Sequence, residues 1–231
     1  LNRNLRVISF SKKNQSDIKL EKIKRQKNIS IVKINIKGTS RNFKIKRNLE
    51  SFPENILASL AVISNFFDLN NISNKFFFNY NLPPGRGDYK IIKFNKKKIH
   101  LIDESYNSNP LSLDFALNNF NKLQRNSKRK IILLGDMLEL GKFSKKLHLD
   151  AAKIVNKTNI NRVYVYGKRI TYTYNKIRPQ KRGKILYSSK DVSNFLKNDI
   201  KDGEYLMVKG SNSTGLNEMM KKLKLGKINA I

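Results

Sequence analysis

The decapeptide Leu-Ile-Asp-Glu-Ser-Tyr-Asn-Ser-Asn-Pro at residues 101–110 follows a strand-like run at 98–102 and opens a helix-like run at 111–123. Polar side chains at the carboxyl end of a strand, directly before a helix, lie where open α/β sheets bind ligands. A short way upstream, Gly-Arg-Gly at residues 85–87 places one permanent cation on flexible backbone. Together the two stretches predict a nucleotide site whose other half lies on a neighbouring domain.

Downstream of residue 85 the pattern alternates between strands and helices. We predict strands at 89–94, 98–103, 130–135, 162–166, 184–187 and 204–209, and helices at 109–124, 144–157, 190–199 and 213–224. The runs at 130–135 and 162–166 are almost continuously apolar, as strands covered on both faces require. This order predicts an α/β fold with a doubly wound, mostly parallel sheet that has helices on both faces.

The upstream part has a different pattern. Short runs at 5–10, 29–36 and 43–45 alternate between apolar and polar residues, which predicts strands of a mostly antiparallel or edge region. Residues 55–67 predict a buried helix, and residues 70–81 show no clear periodicity. The tetrapeptide Leu-Pro-Pro-Gly at 82–85 is the best domain boundary, because two prolines stiffen a linker. We therefore expect domains at 1–82 and 83–231.

The 231 residues carry a formal net charge of +31, with 48 Lys and Arg residues against 17 Asp and Glu residues. Such a charge points toward nucleic acid as a partner. However, lysine, asparagine and isoleucine are enriched together along the whole chain, which is typical of codon drift in an A+T-rich genome. Because the lysines form no single stripe, a basic nucleic-acid-binding module stays only as the alternative from a different functional class.

Composition also bears on the compartment. The sequence contains no cysteine, which excludes disulfides and thiolate metal sites. No signal-peptide pattern is present, and the longest apolar stretch, at residues 56–67, is too short to span a bilayer. We therefore expect a cytoplasmic protein without membrane insertion. The first residue is Leu1 rather than Met, which suggests a fragment of a longer protein.

The segment Gly-Asp-Met-Leu-Glu-Leu-Gly-Lys-Phe at residues 135–143 is superficially similar to a phosphate-binding loop. Five residues separate its glycines where a Walker A motif has four, and Phe143 replaces the Ser or Thr that holds magnesium. No Walker A motif occurs elsewhere in the sequence. We expect no metal ligands in this chain.

Each candidate polar residue has a structural explanation beside the functional one. Asp103 and Glu104 could bind a ribose hydroxyl, or only cap the helix that follows them. Arg86 could bind a phosphate, or be one more surface cation. Ser211 could bind a carboxylate or phosphate, or cap a helix. His148 stands alone in a helical pattern, where a histidine is by default solvated or satisfied within the core.

Read in order, five motifs resemble the Mur ligase family, and within it the branch that adds D-alanyl-D-alanine. The motifs are Gly-Arg-Gly at 85–87, Asp-Glu-Ser-Tyr-Asn-Ser-Asn-Pro at 103–110, Gly-Asp-Met-Leu-Glu-Leu-Gly at 135–141, Ser-Lys-Lys-Leu-His at 144–148 and Val-Lys-Gly-Ser at 208–211. The chain departs from the family pattern in three places. Residues 49–55 lack the family's Gly, His and first Asn, Glu104 replaces an Asp, and Asn212 replaces an Arg.

The resemblance implies that residues 1–82 are the C-terminal part of a central ATP-binding domain and that residues 83–231 are a C-terminal Rossmann-like domain. It implies an ATP-dependent peptide ligase of peptidoglycan precursor synthesis, which joins D-alanyl-D-alanine to UDP-N-acetylmuramoyl-tripeptide through an acyl phosphate. ATP and Mg²⁺ are the implied cofactors, with the phosphate loop and metal ligands expected upstream of Leu1. We expect a monomer that is inactive as this fragment. Another Mur or folylpolyglutamate-type ligase is the alternative within the class.

The resemblance also assigns roles to residues. Arg86 is the implied catalytic residue, since it would neutralise the phosphates of ATP. The implied ATP-binding residues are Asn55, Arg86, Asp103 and Glu104. The implied dipeptide-binding residues are Tyr106, Asn107, Asn109, His148, Lys209 and Ser211.

Overall fold

The computed structural model describes residues 7–26, 29–46, 49–50, 53–123 and 128–226. The chain divides into two compact units, Leu1–Leu82 and Pro83–Ile231, here called the first and second units. Each unit has its own sheet and its own apolar core. Within the described residues, every helix is too short or too polar to cross a lipid bilayer.

The first unit contains a four-stranded sheet in the order β1-β2-β3-β4. The strands are β1 (Phe10–Ser11), β2 (Ile18–Arg25), β3 (Ile29–Ile36) and β4 (Thr39–Lys46). β2, β3 and β4 are antiparallel, and β1 is parallel to β2. Alternate side chains of β3 and β4, such as Val32 and Phe43, pack in one core with Leu57 and Leu60 of helix α1 (Pro53–Ile63). One face of the sheet is thereby buried, as the period-two pattern requires.

Three predictions for the first unit need correction. A strand at 5–10 is wrong for residues 7–9, which are irregular, while residues 5 and 6 lie outside the described residues. β2 was not predicted, because charged residues interrupt its alternation. The predicted helix at 55–67 ends at Ile63. The side chains of Ser64 and Asn65 bond to the carbonyl of Ala61, which competes with continuation of the helix.

The second unit contains a six-stranded sheet in the order β5-β6-β10-β7-β8-β9. The strands are β5 (Asp88–Phe94), β6 (Lys97–Glu104), β7 (Lys130–Gly135), β8 (Arg162–Tyr166), β9 (Arg182–Leu186) and β10 (Tyr205–Lys209). The helices are α2 (Pro110–Lys122), α3 (Ser144–Asn156), α4 (Thr171–Tyr174), α5 (Ser189–Asn198) and α6 (Leu216–Lys224). All neighbouring strands are parallel except β5, which pairs antiparallel with β6.

Apolar cores lie on both faces of this sheet. On β7, Ile131 and Leu133 join the core that α5 and α6 cover, whereas Ile132 and Leu134 join the core that α2 and α3 cover. Successive side chains of a strand point to opposite faces, so a strand buried on both sides must be apolar at every position. The predicted fold, a mostly parallel α/β sheet with helices on both faces, is confirmed.

Local differences from the prediction occur at element ends. α4 was not predicted, since its sequence Thr-Tyr-Thr-Tyr is β-branched and aromatic and only four residues long. The helix predicted at 213–224 begins at Leu216, after a 3₁₀ turn at Asn212–Thr214. Gly215 separates the turn from the helix with a φ of 81°, a left-handed conformation that glycine adopts without strain.

Candidate active site at the carboxyl edge of the sheet

The carboxyl ends of β6, β10 and β7 lie side by side, and the loops that leave them form the edge that we call the carboxyl edge. The Gly-Arg-Gly loop at 85–87 also reaches this edge. It precedes β5, which runs antiparallel to β6, so that Asp88 pairs with Asp103. Gly87 N donates to Asp103 O over 2.7 Å, and Tyr106 N donates to Gly85 O over 3.0 Å. The structure therefore brings together the two stretches that predicted the site.

Arg86 is exposed, and its guanidinium carbon lies 4.3 Å from the centre of the Tyr106 ring. This is a cation–π arrangement, which orients the guanidinium plane. Gly85 has a φ of 79°, and a Cβ atom there would lie 3.0 Å from Tyr106 N and 3.1 Å from Tyr106 Cβ. A larger residue would therefore strain the backbone and push the two loops apart.

Asp103 is fully buried, with 0% exposure. Its Oδ1 accepts from Ser105 N over 3.0 Å and from Ser105 Oγ over 2.5 Å. Its Oδ2 forms an ion pair with Lys224. Helix α2 is capped instead by Asn109, so the capping role considered for Asp103 and Glu104 is wrong. Because both carboxylate oxygens of Asp103 are bonded to protein groups, the role of Asp103 is to support the loop that follows β6.

Glu104 and Lys209 form the second charged pair at this edge. Glu104 Oε2 lies 3.8 Å from Lys209 Nζ, and the Lys209 side chain is only 1% exposed. Lys209 Nζ also donates to Asn107 O over 2.9 Å. Burial raises the pKa of the Glu104 carboxyl, an effect that Lys209 opposes. Burial likewise lowers the pKa of Lys209, and Glu104 opposes this change. The Glu104 side chain keeps 18% of its surface exposed, whereas that of Asp103 is fully buried.

Ser211 joins three loops. Its Oγ accepts from Leu138 N over 2.9 Å and donates to Ser108 O over 3.3 Å, while its backbone N donates to Asp136 O over 3.1 Å. Ser211 makes no side-chain capping bond to the turn that follows it, so the capping alternative is wrong. It is only 6% exposed, which makes it an internal connection between β10, β7 and β6.

His148 is buried in the core on α3, with 0% exposure. Its Nε2 accepts from Met137 N over 3.1 Å, and its Nδ1 donates to Ser144 O over 2.8 Å. Accepting through Nε2 requires a neutral ring with the proton on Nδ1. His148 and Ser211 thus use the successive amides of Met137 and Leu138. These amides are not free to form an anion-binding nest, although the segment is superficially similar to a phosphate loop.

The free energy of unfolding is expected to fall as the pH drops below about 6.5. Burial lowers the pKa of His148, and the hydrogen bond to Ser144 O only partly offsets this. The unfolded chain therefore binds more protons between the two pKa values. Stability that is present above the unfolded pKa is lost as the pH falls toward the folded one. Urea unfolding at about pH 8 and about pH 5.5 measures this change.

His148→Gln should flatten this pH dependence, because glutamine keeps an acceptor but does not titrate. His100→Gln is the matched control, since His100 is half-buried on β6 and lies outside this loop. The control should keep most of the dependence. Equal flattening in the two variants would contradict the assignment to His148.

The remaining predicted site residues have varied surroundings. Tyr106 and Asn107 are exposed at the carboxyl edge. The side chain of Asn109 accepts from Ser112 N over 2.8 Å as the N-cap of α2. Asn55 lies on an exposed position of α1 in the first unit, and residues 51 and 52 of its departing motif lie outside the described residues. Within the part of the chain that the structure describes, no three His, Asp or Glu side chains converge as metal ligands.

Two residues of this edge were missed by sequence reasoning. Asp88 directly follows the Gly-Arg-Gly loop, and its Oδ1 accepts from Gly85 N over 2.7 Å. Its position beside the motif was a usable signal. Lys224 pairs with both Asp88 and Asp103. No signal in the sequence distinguishes it from the other lysines.

Comparisons with known proteins identify the family of this chain. Residues 90–212 match the family model described as "Mur ligase, glutamate ligase domain". UDP-N-acetylmuramoyl-tripeptide–D-alanyl-D-alanine ligase of Bacillus subtilis strain 168 is 27% identical over 128 residues, which are 54% of this chain and 28% of that protein. The ligase of the same name from Rickettsia prowazekii is 26% identical over 169 residues, which are 73% and 36%. The corresponding Buchnera aphidicola (Acyrthosiphon pisum) ligase is 34% identical over 128 residues, which are 53% and 26%.

Solved structures show the same fold. MurF ligase from Thermotoga maritima in complex with ADP superimposes with a TM-score of 0.73 at 18% identity, covering 96% of this chain and 49% of that one. MurF from Acinetobacter baumannii gives a TM-score of 0.72 at 20% identity, covering 94% and 46%. The chain matches about a quarter to a third of the length of the curated relatives. The family model covers more than half of this chain. The chain belongs to the Mur ligase family, as the order of its five motifs predicted.

Proposed function

We propose that the protein containing this chain is an ATP-dependent ligase of peptidoglycan precursor synthesis, which joins D-alanyl-D-alanine to UDP-N-acetylmuramoyl-tripeptide. The observation that carries the proposal is the carboxyl edge. It joins the Ser-Tyr-Asn, Gly-Asp-Met and Lys-Gly-Ser segments by hydrogen bonds, and it places the exposed Arg86 guanidinium over the Tyr106 ring. The curated relatives carry this activity in their names, and a structural neighbour was solved with ADP, which supports ATP use.

Arg86 is assigned to the phosphates. The reaction activates the tripeptide carboxylate as an acyl phosphate, which the amine of D-alanyl-D-alanine then attacks with release of phosphate. Such a transfer depends on positioning and on neutralisation of charge at the phosphoryl oxygens. The Arg86 guanidinium has several donors in a planar fork, is exposed, and is oriented by the Tyr106 ring. It can therefore donate to phosphate oxygens from its exposed position.

The acids have separate roles in this proposal. Glu104 is partly exposed, so its carboxylate can accept from a ribose hydroxyl. Asp103 has both oxygens bonded within the protein, so we assign it to support of the Gly-Arg-Gly loop. The described residues contain no group of three or more His, Asp or Glu side chains that could hold Mg²⁺.

The dipeptide-side residues fall into two groups. Tyr106 and Asn107 are exposed and can contact a substrate directly. Asn109 caps α2, while His148, Lys209 and Ser211 are buried and bonded to neighbouring backbone. We propose that these four residues shape the pocket by fixing the loops.

We further propose that residues 1–82 end the central ATP-binding domain, that residues 83–231 form the C-terminal domain, and that the whole protein is a cytoplasmic monomer.

The proposal is tested with the intact gene product that contains this chain. With ATP, Mg²⁺ and UDP-N-acetylmuramoyl-tripeptide, phosphate release should require D-alanyl-D-alanine and should not be supported by D-glutamate or L-alanine. Equally fast release with either amino acid would assign the protein to another member of the family. The 231-residue chain alone should release no phosphate, because its sequence contains no Walker A motif.

A further inference from the structure

Lys224 ends helix α6 and reaches the base of the Gly-Arg-Gly loop from the opposite end of the second unit's sequence. Its side chain is 12% exposed, and its ammonium forms ion pairs with Asp88 Oδ2 and Asp103 Oδ2. The two acids are directly paired across β5 and β6. One cation therefore lies between two carboxylates at the place where the loop enters the sheet.

These two acids hold both sides of Arg86. Asp88 Oδ1 accepts from Gly85 N over 2.7 Å, and the backbone oxygen of Asp103 accepts from Gly87 N over 2.7 Å. Asp103 Oδ1 also holds Ser105, the residue before the Tyr106 ring on which Arg86 lies. Any shift of either carboxylate would therefore move the guanidinium or the ring that orients it.

The ammonium is needed to keep the carboxylates where they are. Asp103 is fully buried, and a like charge beside it would be unfavourable without a cation. Burial by itself would lower the pKa of Lys224, but hydrogen bonds to Asp103 and Asp88 outweigh burial and raise it. Lys224 is therefore charged at neutral pH. Removing one partner of such a buried group leaves the remaining charges unbalanced.

We propose that Lys224 is a positioning residue for Arg86, which fixes the Gly-Arg-Gly loop by neutralising Asp88 and Asp103 together. The structural half of this inference concerns the loop alone. The catalytic half rests on the proposed function, because it requires Arg86 to act on phosphate. Lys224 does not contact substrate in this account; it acts through the two acids and the backbone that they hold.

The structural half is tested by NMR on the 231-residue chain. The side-chain protons of Arg86 should be shifted by the ring current of Tyr106, and Lys224→Met should remove this shift. Lys222→Met is the matched control, because Lys222 is an exposed lysine on the same helix. The amides of Met137 and Leu138, which His148 and Ser211 hold, report whether the rest of the edge is intact. An Arg86 shift that persists in a folded Lys224→Met chain would overturn the proposal.

Rescue variants separate positioning from general stability. Lys224→Arg keeps the charge and should keep the Arg86 shift. Asp88→Asn added to Lys224→Met removes one of the two negative charges but keeps the oxygen that accepts from Gly85 N. This double variant should regain part of the shift. If Lys224→Met alone fails to fold, the Arg86 shift is measured in the double variant instead. A double variant that folds without regaining the shift would count against the proposal.

The catalytic half is tested in the intact ligase. Lys224→Met should lower kcat by about 10-fold to 10²-fold, since a displacement of about 1 Å can have an effect of this size. The KM for the dipeptide should change much less, and Lys224→Arg should restore most of kcat. If the parent protein has no ligase activity while the Arg86 shift responds as expected, the proposed function fails and the loop inference stands. An active parent whose Lys224→Met variant has the same kcat would overturn the positioning role.

Discussion

Replacement of Arg86 by alanine in the intact ligase is expected to lower kcat by about 10²-fold or more at saturating ATP. The guanidinium is exposed at the carboxyl edge and oriented over the Tyr106 ring, 4.3 Å from its centre. A preorganised cation contributes most when charge develops on the transferring phosphoryl group, so the loss should appear chiefly in kcat. Steady-state kinetics with varied ATP at saturating tripeptide and dipeptide measure it.

Arg86→Lys is the control for charge alone. Lysine keeps the positive charge but lacks the planar fork of donors and the stacking geometry, so it should recover only part of the rate. Both variants should unfold at nearly the same urea concentration as the parent, since exposed side chains contribute little to stability. Unchanged turnover in Arg86→Ala would make Arg86 a surface cation and remove the main support for the site.

Leu206→Ala is expected to lower the free energy of unfolding of the second unit by about 2–5 kcal/mol. Leu206 is fully buried on β10, which pairs with β6 on one side and β7 on the other. Truncation there removes apolar contacts and leaves a cavity at the centre of the sheet, where ladder hydrogen bonds hold the strands on both sides, so that they cannot collapse freely. Urea denaturation followed by circular dichroism measures the change.

Leu111→Ala is the matched control, because it makes the same chemical change at a leucine that is 84% exposed on α2. Its effect should stay within about 0.5 kcal/mol. Similar losses in the two variants would mean that β10 does not lie at the centre of the sheet.

Sequence patterns predicted the elements of the second unit well and those of the first unit less well. The run Lys-Ile-Ile-Leu-Leu-Gly at 130–135 coincides with β7, and the predicted strand at 162–166 coincides with β8. Both strands are buried on two faces, so their composition alone identifies them. By contrast, β2 at Ile18–Arg25 carries charged residues at more than half of its positions and was missed. A strand with one solvent-exposed face has a weak pattern, since many residue types are tolerated at its exposed positions.

By itself, the sequence determined the family, the α/β class and the stretches that meet at the candidate site. Periodicity and the individual motifs are local properties, because a run of consecutive residues is enough to show them. Only the tertiary structure decided what each polar group contacts. It buried His148 and Ser211 against the amides of Met137 and Leu138, and it paired Asp103 with a lysine 121 positions away. The physical reason is that strand order and helix packing bring together groups that are far apart in the sequence. In a chain with 48 Lys and Arg residues, the residues around one lysine do not indicate which acid it pairs with.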